Sequence, residues 1–304
     1  MRKRLISLGV LCLTLLIVIS GCALPGLGGG QGDTIKIGTQ DISESQIMGQ
    51  MIRQLIEHET DLHVDMVNNL GSSVVQHKAL TNQDIDIASV LYTGTSLTGP
   101  LGMEAVKDPE KALSIVKREY RKRFDMTWFD SYGFANTYAF AVRKADAKSK
   151  KLHTVSDLQK YKDTMKLGVD NSWLLRKGDG YKGFVKVYGF DFAKKFPMQI
   201  GLVYKALSSH DMDVVLAYST DGRIPAYNLE LLEDDKHFFP PYDASPVARN
   251  EILRKHPEIK PLLNKLVGTV DTKTMQKLNY EADGKKKEPA VIAKEFLQQH
   301  KYFQ

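Results

Sequence analysis

Residues 34–91 read TIKIGTQDISESQIMGQMIRQLIEHETDLHVDMVNNLGSSVVQHKALTNQDIDIASVL, and strands alternate with helices along this segment. The segments 34–38, 63–67 and 85–91 are short and rich in β-branched residues, as strands are. Between them, residues 46–59 and 72–81 predict helices. Apolar side chains of the first helix recur every three or four positions and share one face: Ile47, Met48, Met51, Ile52, Leu55 and Ile56. The alternation is typical of βαβ units and predicts an α/β fold with a mostly parallel sheet.

A second run with the same order of elements lies further along the chain. It follows a long amphipathic helix predicted at residues 109–124. Its elements are, in order, a strand at 136–142, a short helix after 154, a strand at 166–169, a helix at 181–188 and a strand at 213–218. No residue-level repeat links the two runs. We therefore predict two α/β lobes that are alike in architecture without being copies.

The motif HFFPPY at residues 237–242 interrupts this pattern. Beyond it we predict four helices, at 246–256, 258–267, 272–283 and 289–299. This tail has too few strands to form a domain, so we expect it to pack on the first lobe. The first lobe would then be discontinuous, comprising 34–139 and 243–304, with 140–242 as the second lobe. The chain would cross between the lobes near residues 139–142 and 238–243.

The N-terminus has the parts of a secretory signal. Arg2, Lys3 and Arg4 precede 15 mostly apolar residues, 5–19, and the segment ends in Ser20-Gly21-Cys22. Small residues directly before a cysteine resemble a lipobox, whose cysteine is lipidated, so residues 1–22 predict a lipoprotein signal with Cys22 as the anchor. An uncleaved membrane span is the alternative, but it needs about 20 apolar residues. The Gly-rich segment 23–33 predicts a flexible tether.

Cysteine and charge exclude several classes of protein. The chain has two cysteines, Cys12 and Cys22, so the mature domain would have no disulfide, Cys-ligated zinc or cysteine nucleophile. The net charge of +6 falls to +3 when the three cations of the signal are removed, leaving 39 basic against 36 acidic residues. The basic clusters at 117–123 and 285–287 stand among acids, and we interpret them as solvated faces rather than as a nucleic-acid site.

Catalytic motifs are not evident in the sequence. The eight histidines are scattered without metal-ligand spacing, and no Gly-x-Ser-x-Gly motif occurs. The Gly-rich segment 177–181 lacks the Lys-Ser/Thr pair of a phosphate-binding loop and predicts a loop before a helix. We therefore expect neither an enzyme nor a cofactor or metal.

Aromatic residues give the clearest indication of a site. Tyr92 directly follows a predicted strand, Tyr218 ends another, Tyr138 lies in the first predicted crossover, and Tyr242 lies in the second. Ligands of open α/β sheets bind beyond the carboxyl ends of the strands. Each tyrosine alone could serve lobe-edge packing. Together they suit an aromatic cage for a quaternary ammonium group, with each cation–π contact contributing about 0.5–2 kcal/mol.

Polar residues beside the predicted cage are candidates for further contacts with a ligand. We expect Gln40 and Thr95 to contact the ligand. Asp41 and Ser43 are better explained as ordinary residues of a helix start, although the N–H groups there could bind a carboxylate.

Several motifs together resemble the substrate-binding proteins of osmoprotectant ABC importers. They are the segments 35–45, 91–95, 201–207, 213–224 and 239–242. The resemblance covers essentially the whole mature chain and is to the glycine betaine/carnitine/choline class, the OpuB and OpuC type of Gram-positive bacteria. It implies a two-lobed, type II periplasmic-binding-protein fold that closes on its ligand. It also implies permease and ATPase partners, a lipid anchor on the extracellular face of the cytoplasmic membrane, and a monomer.

The resemblance further implies which residues bind. The residues that correspond to the family's tyrosine cage are Tyr92, Tyr138, Tyr218 and Tyr242. Those that correspond to its polar contacts are Gln40, Thr95 and Asn136. Choline-restricted members of the class have an acidic residue where Thr95 stands. Because a threonine neither attracts choline by charge nor repels a carboxylate, Thr95 favours the broad-specificity OpuC type.

Three other functions stay open from the sequence. A receptor for an amino acid would use a fixed acid–base pair, and Asp221 with Arg223 could supply one. An enzyme on the same fold would need a nucleophile, metal or cofactor lysine with supporting spacing. An adhesion or structural lipoprotein would not explain tyrosines at corresponding edges of the two lobes.

Overall fold

The computed structural model describes residues 34–175 and 180–303. The predicted signal, Cys22 and tether lie outside these residues, as do positions 177–179 of the Gly-rich segment. Within the described ranges, no helix combines the length and apolar character that a membrane crossing requires.

The first sheet has five strands, in the order β2-β1-β3-β10-β4. Its strands are β1 (Thr34–Gly38), β2 (His63–Val67), β3 (Ile87–Tyr92), β4 (Met126–Trp128) and β10 (Ala244–Arg249). Its early helices are α1 (Ser43–Glu59), α2 (Ser73–Thr81), α3 (Thr93–Thr98) and α4 (Pro109–Phe124). The tail adds α10 (Asn250–Lys255), α11 (Ile259–Lys265), α12 (Thr272–Asp283) and α13 (Pro289–Gln299).

The second sheet also has five strands, in the order β7-β6-β8-β5-β9. Its strands are β5 (Tyr138–Arg143), β6 (Lys166–Val169), β7 (Lys194–Pro197), β8 (Val214–Tyr218) and β9 (Leu229–Leu231). Its helices are α5 (Lys144–Lys150), α6 (Asn171–Leu175), α7 (Tyr181–Tyr188), α8 (Ile200–Ser208) and α9 (Arg223–Ala226), with a 3₁₀ helix at Val155–Tyr161.

Apolar side chains cover both faces of each sheet. In β3, Val90 belongs to one core cluster and Leu91 to another. In β5, Phe140 faces one cluster and Ala141 the other. Successive side chains of a strand point to opposite faces, so each sheet lies between two apolar layers. This accounts for the near-continuous apolar runs of the central strands.

The predicted helix at 246–256 is wrong in its first half. Residues Ala244–Arg249 form β10, an antiparallel strand between β3 and β4, and the helix begins only at Asn250. Pro246 suggested a helix start, but it lies at an irregularity in the register between Ser245 and Val247. A bulge is one of the few places in a central strand that tolerate proline, because no ladder bond needs its missing N–H.

The predicted mostly parallel sheet is also wrong in detail. β1 pairs with β3 in parallel, but β10 is antiparallel to both β3 and β4. In the second sheet, β6 is parallel to β7 and β8, whereas β5 is antiparallel to β8 and β9. Each sheet is therefore mixed, because one strand in each enters from a chain crossing rather than from a βαβ unit.

Candidate functional site: tyrosines at the lobe crossings

Tyr138 and Tyr218 lie directly opposite each other in the second sheet. The antiparallel register pairs the first residue of β5 with the last residue of β8. The ring centroids are 5.1 Å apart and the rings are inclined by 30°, so the two faces stack. The Phe239 ring is 6.0 Å from the Tyr138 ring. The Tyr218 backbone N–H donates to the Tyr204 hydroxyl at 2.9 Å, which fixes the end of the strand.

Tyr92 and Tyr242 lie together at the carboxyl end of β3 in the first sheet. Tyr92 is the last residue of β3 and pairs with Ala244, two residues after Tyr242. A Cβ added at Gly94 would lie 2.7 Å from the Pro241 carbonyl oxygen and 3.0 Å from the Tyr242 ring. Only glycine at this position lets the segment before β10 approach α3 so closely.

Residues of the crossings connect the two pairs of tyrosines. The Asn136 N–H donates to the Tyr242 carbonyl at 3.1 Å. The Ser219 hydroxyl, next to Tyr218, donates to the Ala135 carbonyl at 2.8 Å and accepts the Thr137 N–H at 3.0 Å. The structure therefore brings all four predicted tyrosines to the same crossing region, although they belong to two different sheets.

Sequence reasoning missed Glu44, which lies in the first turn of α1. It is 2% exposed, and its Oε1 accepts the Tyr92 hydroxyl and the Asn136 side-chain amide, the latter at 2.7 Å. Its Oε2 accepts the Asn279 amide at 3.3 Å. Burial, followed by the neighbouring Glu44 charge, raises the pKa of the Tyr92 hydroxyl well above its usual value. The phenol therefore keeps its proton at neutral pH. A glutamate at a helix start looks like an ordinary dipole partner, so no local signal distinguished this one.

The predicted polar residues have different surroundings. The Gln40 side-chain amide donates to Gln76 Oε1 at 3.1 Å and to the Val90 carbonyl at 3.3 Å. Its nitrogen is therefore engaged in hydrogen bonds within the protein. Thr95 is half-buried on α3, one turn after Tyr92. Ser43 donates its hydroxyl to Asp283 Oδ1 at 2.5 Å, in keeping with a structural role.

Asp221 and Arg223, the candidate pair for an amino-acid zwitterion, bind each other. Arg223 Nε donates to Asp221 Oδ1 at 2.8 Å and its NH2 group donates to Oδ2 at 2.6 Å. The guanidinium also lies 4.1 Å from the centre of the Tyr204 ring. A bidentate pair whose donors are already used is poorly placed to receive a ligand carboxylate and ammonium separately.

Helix α12 links the tail to the loop that follows Tyr218. Gln276 Nε2 donates to the Ser219 carbonyl at 2.7 Å, and Asn279 Nδ2 donates to the Thr220 carbonyl at 2.9 Å. A Cβ added at Gly222 would lie 2.4 Å from the Tyr280 backbone nitrogen, so the loop packs directly on the helix. The tail thus contacts the second sheet as well as the first.

No group of His, Cys, Asp and Glu suited to a metal ion occurs among residues 34–175 and 180–303.

A family model matches residues 33–299 and is described as the substrate-binding domain of the ABC-type glycine betaine transport system. Curated relatives match as well. The carnitine transport binding protein OpuCC of Listeria monocytogenes is 59% identical over 100% of this chain and 99% of its own length. A glycine-betaine-binding protein of Pseudomonas aeruginosa is 30% identical over 94% of each chain.

Solved structures are similar over most of the chain. One, described as a glycine betaine/carnitine/choline ABC transporter, is 58% identical with a TM-score of 0.87 and covers 89% of this chain and 100% of its own. Apo YehZ from Escherichia coli is 25% identical with a TM-score of 0.79 and covers 88% and 99%. These similarities confirm the predicted two-lobed α/β architecture.

Proposed function

This chain belongs to the family of substrate-binding domains of ABC-type glycine betaine transport systems, and from that premise we propose that it captures quaternary-ammonium solutes in a tyrosine cage and delivers them to a membrane importer. Glycine betaine, carnitine and choline are the proposed ligands. The protein is a transport receptor with a periplasmic-binding-protein fold rather than an enzyme.

The observation that carries the proposal is the convergence of tyrosines from two sheets. Tyr138 and Tyr218 stack at the paired ends of β5 and β8 in the second sheet, while Tyr92 and Tyr242 lie at the end of β3 in the first. Tyrosine rings present a negative face, and a quaternary ammonium group has no N–H to donate to a carboxylate. Aromatic faces on both sides therefore suit this cation better than an acidic pocket. Gln40, Thr95 and Asn136 complete the proposed site as polar contacts.

The proposed mechanism is closure of one lobe on the other. We take the lobes as residues 34–139 with 243–304, and residues 140–242. A ligand that contacts aromatic rings of both lobes binds the closed state more tightly than the open state, so it shifts the population towards closure. The permease, with its ATPase, then binds the receptor in its closed state.

The proposed location follows from the N-terminal sequence. Lipidated Cys22 would hold the receptor at the extracellular face of the cytoplasmic membrane, and the Gly-rich tether would let it reach the importer. The receptor is proposed to act there as a monomer.

The test is calorimetric titration of the purified protein with glycine betaine, carnitine, choline and ectoine. Glycine is the matched control, because it shares the backbone of glycine betaine but lacks the methyl groups. We expect saturable binding of glycine betaine, carnitine and choline, and no binding of glycine. Failure of all four ligands would overturn the proposal. Tighter binding of an unmethylated amino acid would favour the amino-acid receptor instead.

A further inference from the structure

Glu44 is a buried acid whose hydrogen bonds come from three distant parts of the chain. Tyr92 ends β3, Asn136 lies between β4 and β5, and Asn279 lies on α12. Neutral groups make all of these bonds. Among the residues that the structure describes, no Lys, Arg or His forms an ion pair with Glu44.

A buried carboxylate without a counter-ion is unfavourable, because hydrogen bonds from neutral donors only partly replace its hydration. The two asparagines that donate to Glu44 also carry side-chain oxygens that accept no hydrogen bond. The side-chain oxygens of Asn136 and Asn279 are both buried and have no hydrogen-bond partner in the described structure. Glu44 therefore brings one negative charge to the hydroxyl end of the Tyr92 ring, and two acceptors without partners belong to its own donors.

From this arrangement, and resting on the proposed function, we propose that Glu44 is a positioning residue of the tyrosine cage and supplies its buried negative charge. By accepting the Tyr92 hydroxyl, the carboxylate fixes the ring at the end of β3. A charged acceptor on the hydroxyl also adds electron density to the ring, which strengthens its attraction for a cation. A ligand ammonium group on a face of the Tyr92 ring then serves as the missing counter-charge.

The charge of Glu44 affects different ligands unequally. Choline is a net cation, so it gains the full attraction of the buried carboxylate. Glycine betaine and carnitine carry a carboxylate of their own, and its repulsion by Glu44 offsets part of the attraction of the ammonium group. Removal of the Glu44 charge should therefore weaken choline binding more than betaine binding. Loss of packing alone would weaken both ligands alike.

The experiment compares Glu44→Gln with wild type by titration with choline and with glycine betaine. Gln keeps the size and one acceptor but removes the charge. We expect a loss of at least about tenfold for choline and a clearly smaller loss for glycine betaine. Glu57→Gln is the matched control, since this acid lies on the same helix, pairs with Arg53 and is partly exposed. It should change neither affinity.

Several results would overturn the inference. One is an equal loss for the two ligands, and another is no loss for either. Binding of glycine betaine by wild type without measurable choline binding would do the same, because a buried uncompensated acid must favour a net cation. If wild type binds neither ligand, the proposed function itself fails.

Thermal unfolding followed by circular dichroism verifies that Glu44→Gln folds. If it does not, Tyr92→Phe provides the second test, because it keeps the ring and the acid but removes their bond. We expect Tyr92→Phe to weaken both ligands by roughly three- to tenfold. Unchanged affinity in that variant would contradict the positioning role.

Discussion

At the residue scale, the tyrosine pair of the second sheet depends on strand register. Tyr138 begins its strand and Tyr218 ends its own, yet they face each other because β5 and β8 are antiparallel. A shift of register by one residue would turn one ring to the other face of the sheet. The register of β5 and β8 therefore determines the pairing of the two rings. Each ring can be tested by its own substitution.

Tyr218→Ala should weaken glycine betaine binding by about two- to thirtyfold, since one cation–π contact contributes roughly 0.5–2 kcal/mol. Tyr218→Phe keeps the ring and should lose much less. Calorimetry measures both, with Tyr227→Ala as the control because that tyrosine is exposed between α9 and β9. Equal affinity of wild type and Tyr218→Ala would remove this residue from the cage.

Thr95→Asp should change which solute is preferred. An added carboxylate one turn after Tyr92 would attract the cationic choline and repel the carboxylate of glycine betaine. The ratio of the choline and betaine dissociation constants should therefore shift towards choline by about tenfold or more. Thr98→Asp, further along the same helix, is the control. An unchanged ratio would place Thr95 outside the ligand site.

At the element scale, the sequence predicted elements with strong local patterns and missed those defined by distant partners. The predicted helix at 109–124 is confirmed as Pro109–Phe124, and the predicted helix at 181–188 as Tyr181–Tyr188. β10 was missed because Val247 finds its partners, Ala88 and Trp128, far away in the chain. The short strands β4, β7 and β9 were missed for a different reason, because three or four residues carry little periodicity.

The same contrast applies to the candidate site. The tyrosines could be predicted because strand ends are visible in the sequence. Glu44 could not, because its meaning depends on Asn136 and Asn279, which only the folded chain brings to it. Which of these side chains touch a solute remains a prediction.

Helix α12 offers a test of how the two sheets are held together. Gln276→Leu should leave the Ser219 carbonyl without its buried donor. This should destabilise the packing of α12 on the loop after Tyr218 by about 1–3 kcal/mol. We expect weaker glycine betaine binding and, by small-angle X-ray scattering, a larger radius of gyration. Lys277→Gln is the control, because this neighbouring side chain is exposed. No change in either measurement would mean that α12 does not hold the loop after Tyr218.

At the scale of the whole molecule, buried tyrosines predict how stability depends on alkaline pH. Burial raises the pKa of the Tyr132 hydroxyl well above 10.0, and the hydroxyl donates to the Ser89 carbonyl at 2.6 Å. The folded state thus keeps a proton that the unfolded state releases above about pH 10. The stabilisation is fully present below that pH and is lost as the pH rises.

Tyr132→Phe should accordingly flatten the fall of the unfolding free energy above about pH 10. One such proton corresponds to a slope of about 1.4 kcal/mol per pH unit. Urea unfolding at several alkaline pH values measures the slope, and Tyr227→Phe, an exposed tyrosine, should leave it unchanged. A Tyr132→Phe slope equal to that of wild type would contradict the assignment.

The position of β10 in the first sheet has a consequence for the order in which the chain is completed during synthesis. All strands of the second sheet lie between Tyr138 and Leu231, so that sheet has its full set of strands once this stretch has emerged. The first sheet begins at Thr34 but lacks its fourth strand until Arg249 emerges, and β4 at the edge has β10 as its neighbour. The sheet whose strands begin first is therefore completed last. A nascent chain that has emerged past Leu231 but not yet to Ala244 would present a complete second sheet together with an open edge of the first.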